Sequence, residues 1–355
     1  MRQKILAVLS LVLFLLACGH SIRLGENAPE ITTIPDFTGE KGERHRLTEI
    51  NILPPIVLDS VHTAWLSADG QIQIFHHGKG KEVERIDGKT EITNLAYQSK
   101  DFYWIEHEGK RRFVRFNSTR GNEVWRIEGF PSAVNPVLWQ GRCIFFGVGG
   151  KVQAVDNANG QTAWTITLNS RIFVDPVRTE SGLLISGDEG TLYLIDPSDG
   201  AIRWKRTLQE PALAMNSIDG QIYLGTHNGR MIAFDPGVKS IRWEVDTAYP
   251  VRDIPIRIQQ YLYWTNTAGE LYKIRVSSGA AELLRHLQTP VESPPIQAGN
   301  GILFAGLDGM LYYLNPETGS VNTRVKFDGR LRSAPLFFRD KWYVSVEDHW
   351  IYEVL

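Results

Sequence analysis

Gly190-Thr-Leu-Tyr-Leu-Ile-Asp196-Pro-Ser-Asp-Gly200-Ala-Ile-Arg-Trp204 joins an alternating apolar run to an Asp-x-x-x-Gly turn and then to a tryptophan eight residues beyond the aspartate. Leu192 and Leu194 fall on one face at period two, which is the spacing of a half-buried strand and not of a helix. The same pattern recurs at Gly150-Lys-Val-Gln-Ala-Val-Asp156, with Gly160 and Trp164, and at Gly229-Arg-Met-Ile-Ala-Phe-Asp235, with Trp243. Weaker copies begin at Gly70, Gly109, Gly269, Gly309 and His349, so successive anchors lie 39, 41, 40, 39, 40, 40 and 40 residues apart. A period this constant marks a repeat architecture.

Each unit resolves into four short strands. Upstream of the anchor lies a second apolar strand, such as Gly182-Leu-Leu-Ile-Ser-Gly187 or Gly301-Ile-Leu-Phe-Ala-Gly306. Before it sits a strand led by proline, at Pro55, Pro136, Pro176, Pro255, Pro295 and Pro335. Downstream, after the turn, comes the strand carrying the tryptophan. Four strands in about 40 residues, repeated, is the pattern of β-propeller blades. The expected fold is therefore all-β, an eight-bladed β-propeller with four antiparallel strands per blade.

The two ends of the chain complete one another. The last unit stops at Leu355 without its outer strand, while Asp36-Phe-Thr-Gly39 matches the turns at Asp196–Gly200 and Asn315–Gly319 with one residue of slack. Residues from about Glu43 to Leu47 are expected to supply the missing strand, closing the eighth blade and covering edges that would otherwise be left unpaired. Trp125, Trp164, Trp204 and Trp243 are expected to dock each outer strand on the next blade, each ring burying roughly 150–250 Å2. Asp156, Asp196 and Asp235 are expected to hydrogen-bond within their own turns.

The first residues read as an address. Met1-Arg2-Gln3-Lys4 is basic, and Ile5 to Leu16 is apolar apart from Ser10. That run is shorter than the roughly 20 residues a spanning helix needs and fits a secretory signal core. It ends Leu15-Leu16-Ala17-Cys18-Gly19, which resembles the lipobox of bacterial lipoproteins. The resemblance implies cleavage after Ala17 and a diacylglycerol group on the Cys18 thiol, with an N-acyl chain, which anchors more firmly than one chain can. Gly19 in place of aspartate favours delivery to the outer membrane. Residues 18–35 lack apolar periodicity and read as a flexible lipid-anchored tether. The domains are thus 1–17 signal peptide, 18–35 tether and 36–355 propeller.

Bulk composition is that of an ordinary globular protein: 355 residues, 43% hydrophobic and 22% charged. Without the first 17 residues the chain carries 36 basic against 40 acidic side chains. This balance gives no footprint for nucleic acid and none for broad adsorption to anionic lipid. With Cys18 assigned to lipid, Cys143 stands alone in the apolar strand Arg142-Cys-Ile-Phe-Phe-Gly147 and reads as a core residue.

Blades of the form Gly-x-Leu-Tyr-x-Leu-Asp-x-x-x-Gly-x-x-x-Trp resemble the pyrroloquinoline-quinone-type propeller repeat, over nearly all of residues 36–355. Within that repeat family the chain looks like the cofactor-free, BamB-like outer-membrane assembly lipoproteins. The quinone-dependent dehydrogenases of the same repeat carry adjacent cysteines and Ca2+ ligands that have no counterpart here. The resemblance implies a non-catalytic scaffold on the periplasmic side of the outer membrane. Its partners would be the periplasmic domains of a BamA-like barrel insertase and unfolded barrel precursors offered strand edges. It places the contacts on loops between middle blades. Here those are Asn169–Asp175, with Arg171, Ile172, Phe173 and Asp175, and Gln209–Met215, with Leu213 and Met215. Arg171 beside Ile172 and Phe173 is the charged and apolar mixture of binding hot spots.

No residue pattern calls for catalysis or for a cofactor beyond the lipid. Among the nine histidines, His76 and His77 are adjacent and in a strand point to opposite faces, so no metal site is expected there. No Cys-x-x-Cys, Walker loop or Gly-x-Ser-x-Gly elbow occurs, and Gly147-Val-Gly-Gly150 lacks the helix that phosphate binding uses. Asp188, Asp308 and Asp348 lie in repeated hairpin loops that a propeller gathers at one face. They define the alternative reading, a lipoprotein holding a quinone, sugar or metal ligand in its funnel, as a binding protein or an oxidoreductase.

Overall fold

The computed structural model describes residues 23–24, 37–46, 55–66, 71–87, 91–108, 110–208, 210–347 and 350–355. The signal segment 1–17, Cys18, Asp36, Leu47, the anchors Gly70, Gly109 and His349, and Asp348 lie outside them. Seven antiparallel sheets of four strands and one of five account for the whole order of strands. Each sheet is one blade, so the molecule is an eight-bladed β-propeller.

The blades follow the chain. In the fourth, Val177–Thr179, Gly182–Ser186, Thr191–Ile195 and Ile202–Thr207 run from the axis outward. The middle two are buried along almost their whole length, while the outer strand is exposed except at Trp204. The sequence has the same gradient, with Leu, Ile and Tyr in the middle strands and Lys, Arg and Thr in the outer one. First and second strands meet in tight hairpins. At Ser99-Lys100, Asp219-Gly220 and Arg339-Asp340 both turn residues have positive φ, the geometry whose twist matches the flanking strands.

The eighth blade is assembled from both ends of the chain. Lys41–Arg46 pairs antiparallel with Trp350–Val354, with Lys41 opposite Val354 and Arg44 opposite Tyr352. The expected closing strand thus begins two residues earlier than Glu43. Ahead of the propeller, Arg23–Leu24 runs parallel to Ile56–Val57 on the inner edge of the first blade, giving that blade its fifth strand. The rest of the 18–35 segment lies outside the described residues.

Eight apolar clusters hold the ring, one per seam. Tyr263 and Leu271 of the sixth blade pack with Ile302, Phe304 and Leu314 of the seventh. Val57, Trp65 and Phe75 of the first blade pack with Leu336, Phe338, Tyr343 and Ile351 of the eighth, so the circle is complete. Cys143 is fully buried in the seam between blades two and three, beside Phe145, and burial raises its thiol well above the usual range.

The tryptophans sit at four consecutive seams. Trp125 Nε1 donates to Asn157 O at 2.8 Å, Trp164 Nε1 to Pro197 O at 3.1 Å and Trp243 Nε1 to Val276 O at 2.8 Å, each in the outer turn of the following blade. The ring lies on the glycine of that turn. At Gly279 a Cβ would stand 2.6 Å from the Trp243 Cγ, and φ is +72°. Trp204 meets Phe234 instead, at 6.1 Å between ring centroids, and the turn residue there is Lys239 at φ +58°. In the eighth blade Gly39 takes the same place, its missing Cβ 2.5 Å from Thr323. The turn aspartates accept their own backbone: Asp156 from Ala158 N, Asp196 from Ser198 N and Asp235 from Gly237 N, at 2.8–2.9 Å.

This contact gives a paired expectation. Gly279→Ala should cost roughly 3 kcal/mol, combining left-handed strain with a clash against the Trp243 ring. Gly220→Ala, at φ +75° with nothing within 4 Å, should cost only about 1 kcal/mol. Urea unfolding of the two variants separates seam contact from backbone strain.

Candidate functional site

The chain passes from the outer strand of each blade to the inner strand of the next at one end of the propeller. The hairpins between second and third strands lie at that same end. Backbone bonds weld the two sets of loops together: Leu168 N to Gly150 O, Leu208 N to Gly190 O, Thr247 N to Gly229 O, Leu287 N to Gly269 O and Phe327 N to Gly309 O, at 2.7–2.9 Å. A second set follows, with Asp188 N to Arg171 O, Thr267 N to Pro250 O, Leu307 N to Pro290 O and Glu347 N to Arg330 O, at 2.9–3.1 Å. The face is therefore a rigid platform. Its backbone groups are largely spent on each other, and recognition falls to the side chains it displays.

Arg171 is the most prominent of these. Its Nε bonds Asp188 Oδ2 at 2.6 Å while its backbone N–H bonds Asp188 Oδ1 at 2.8 Å. The side chain is still 60% exposed. Its guanidinium stands 5.5 Å from the centre of the Phe173 ring, within cation–π range. Partial burial works to raise the Asp188 carboxyl, but bonds from the Arg171 side chain and backbone outweigh it and hold the group below its ordinary value. Asp188 is thus a fixed anion that aims Arg171. The preceding connection carries a similar pair, Lys151 Nζ lying 5.0 Å above Phe130. Further round, Tyr249 is exposed, and Arg332 bridges Glu292 at 2.6 Å and Glu347 at 3.2 Å.

The other residues expected on the docking loops are placed differently. Ile172 is fully buried and bridges Gly187, so it belongs to the core of the seam between blades three and four. Asp175 accepts Asn135 N at 2.9 Å, and Asn135 Oδ1 in turn accepts Leu95 N at 3.0 Å. That chain ties three consecutive blades together near the axis. The second expected loop is shorter than its sequence suggests, because Ala212–Ile218 is already the inner strand of the fifth blade. Leu213 and Met215 are buried in it and cannot meet a partner. The apolar run Ala-Leu-Ala-Met packs because the adjacent strand Gln221–Thr226 pairs along its length. Of the six residues, Arg171 and Phe173 form the displayed pair. Lys151 and Phe130 were not singled out in the sequence, and Asp188 stood out only as a member of the expected funnel ring, although Asp188 and Lys151 flank the anchor glycines.

The aspartates of the expected funnel ring are separately engaged. Asp188 serves Arg171, and Asp308 accepts the Tyr312 hydroxyl and Met310 N. Among the described residues no group of three or more His, Cys, Asp or Glu gathers as a metal centre.

Comparison with known proteins agrees with this architecture. A family model described as outer membrane protein assembly factor BamB matches residues 68–282. Relatives carrying that name occur in Nitrosomonas eutropha, 23% identical over 258 residues, 70% of this chain and 57% of the relative, and in Yersinia pestis, 22% identical over 213 residues, 52% of this chain and 54% of the relative. The match to each therefore spans less than two thirds of its length. In fold, the chain is similar to the crystal structure of BamB from Moraxella catarrhalis, with a TM-score of 0.75 at 16% identity over 89% of this chain and 99% of the other. It is also similar to the computationally designed Ika8 protein, with a TM-score of 0.69 at 14% identity over 91% and 99% of the two chains. With the family model covering well over half of the sequence, the chain belongs to the outer membrane protein assembly factor BamB family.

Proposed function

We propose that this protein is a non-catalytic scaffold of outer-membrane β-barrel assembly that docks the periplasmic domains of a BamA-like barrel insertase on its connection-loop face. Lipid on Cys18 holds it to the outer membrane, facing the periplasm, with residues 18–35 as the tether, of which Arg23–Leu24 is laid against the first blade. No cofactor besides the lipid enters this reading, and unfolded barrel precursors are a second class of ligand. The observation that carries it is the Arg171–Phe173 pair: an exposed guanidinium, fixed by Asp188 and stacked near an aromatic ring, on a welded loop between middle blades. A pre-aimed cation beside an aromatic ring loses little freedom on binding, which is how a few residues come to dominate an interface.

The test is recovery of the insertase with the lipidated protein from mild-detergent extracts of its own envelope. Arg171→Glu and Phe173→Ala should each cut recovery by about 30-fold, the equivalent of roughly 2 kcal/mol at a hot spot. Lys205→Glu, on the outer strand of the fourth blade, should leave recovery unchanged, and all three should melt like the parent. Full recovery with both loop variants would remove the docking face from this reading. A chromophore or metal ion retained by the purified protein, with no insertase recovered, would turn it toward the ligand-binding alternative.

A further inference from the structure

His76 ends the strand Gln71–His76 and His77 opens a short 3-10 turn, and His76 meets a different histidine. His62 and His76 are direct cross-strand partners on the antiparallel strands His62–Leu66 and Gln71–His76. Directly opposed residues project from the same face, with Cβ atoms about 5 Å apart. Their imidazole rings stand 4.7 Å apart between centroids, edge to face. His77 goes the other way and packs against Phe338 and Tyr343, its Nε2 2.8 Å from Thr63 Oγ1.

Two further features prepare this pair. Asp59 closes on His62, its carboxylate oxygens 2.9 and 3.0 Å from Nδ1. That carboxylate is itself held by Val61 N at 2.8 Å and His62 N at 2.9 Å. A carboxylate on Nδ1 places the proton there and leaves the Nε2 lone pair outward. The same outer support recurs behind metal-bound histidines. His76 Nδ1 is buried and has no hydrogen-bond partner among the described residues. A buried ring nitrogen of this kind calls for a water or an ion.

From this geometry we infer that His62 and His76 form a two-imidazole chelate for a divalent transition ion at the end of the first blade opposite the connection-loop face, with Asp59 as the positioning residue for His62. Two neutral nitrogen donors on a fixed hairpin suit copper, nickel or zinc, and copper(II) binds such donors most tightly. No third protein ligand gathers among the described residues, so water completes the shell and exchange stays open. His62 is 28% exposed, which leaves an entry path. The site lies apart from the Arg171 platform and is independent of the docking proposal.

The probe is copper(II) alone, added to the full-length lipidated protein in detergent. One equivalent should bind with an electron paramagnetic resonance spectrum showing two nitrogen ligands. His62→Asn and His76→Asn should each weaken binding at least 100-fold and reduce the nitrogen pattern to one. Asp59→Asn should weaken it 10- to 100-fold while keeping both nitrogens, since it disturbs only the outer support. His227→Asn, an exposed histidine in a hairpin of the fifth blade, should change nothing. Circular dichroism melts without metal confirm that each variant is folded. A spectrum with one nitrogen in the parent, or binding unchanged in His76→Asn, would overturn the assignment.

Discussion

Deleting residues 36–48 should abolish the cooperative thermal transition of the whole propeller. The segment looks peripheral in the sequence but sits in the last seam. Phe37 is 4% exposed and packs 5.7 Å from the Tyr313 ring and 6.5 Å from the Trp342 ring, inside the cluster shared by blades seven and eight. Thr38 N and Gly39 N both donate to Leu355 O, at 2.9 and 2.7 Å, and Leu355 N returns a bond to Glu40 O at 2.9 Å. Lys41 then lies over Phe327 and Arg44 over Trp350. Removing the strand uncovers the edge of Trp350–Val354 and opens the apolar seam together. A ring architecture has no spare contact to replace a broken seam, and total domain stability is only about 5–15 kcal/mol. Phe37→Ala, which keeps the strand, should cost about 3–5 kcal/mol by itself. Melts followed by circular dichroism check both. A truncated chain that unfolded at the parent temperature would mean that the closure contributes nothing.

The fold was legible because its signals are local and repeated. Period-two alternation, the Asp-x-x-x-Gly turn and the tryptophan register are set within one blade, and eight copies average out the weak ones. Even the blade closed by the two ends could be inferred, since Asp36–Gly39 repeats a turn found elsewhere at its proper place. The misjudged elements were those set by neighbours. Pro211 stands directly before the inner strand at Ala212 but ahead of the 40-residue period set by Pro176 and Pro255, so that strand read as loop. Blade six has no outer-strand tryptophan to mark its seam: Leu283, at that register, is 53% exposed, while Leu284 reaches the Gly319 turn. A bulge between Leu271 and Tyr272 shifts the pairing there, and one residue of shift exchanges the two faces.

The candidate site was half legible for a related reason. Arg171 and Phe173 stood out as a charge beside an aromatic. What holds them, Asp188, is 17 residues away in sequence and adjacent only because two loops weld across a seam. Ile172 and Asp175 belong to the same short segment but point inward, and nothing in seven irregular residues announces which side chains alternate. The His62–His76 pair needed strand register, which Ser67-Ala68-Asp69-Gly70 between the strands marks as a turn but does not fix to the residue.

Asp253 should make the propeller less stable as pH rises from 4 to 7, and removing its carboxyl should abolish that loss. The residue lies two positions before Pro255. Ser293 and Ser333 hold the same place before Pro295 and Pro335, and Val134 and Val174 hold it before Pro136 and Pro176. Only blade six among these puts a carboxylate there, and it is 4% exposed. Trp264 Nε1 bonds its backbone O at 2.6 Å, while its Oδ1 has no partner among the described residues. Burial, aided by the nearby negative charge of Glu292 and opposed by Arg252, pushes the carboxyl from 3.8 up to about 7. The folded protein therefore holds a proton there that the unfolded chain releases near pH 3.8. The stabilisation tied to that proton is complete below the unfolded value and is lost as pH climbs to the folded one, after which the curve is flat. A gap of roughly three units corresponds to at most about 4 kcal/mol. Asp253→Asn and Asp253→Ser should accordingly be more stable than the parent at pH 8 by a few kcal/mol. Near pH 4 the advantage should vanish, because the parent's carboxyl is then neutral in the folded state. Urea unfolding at pH 4, 6 and 8 measures it. A difference independent of pH would show that the carboxyl is solvated after all and that the variants act through packing alone. The expected convergence at low pH would show that Asp253 ties the stability of blade six to the acidity around it.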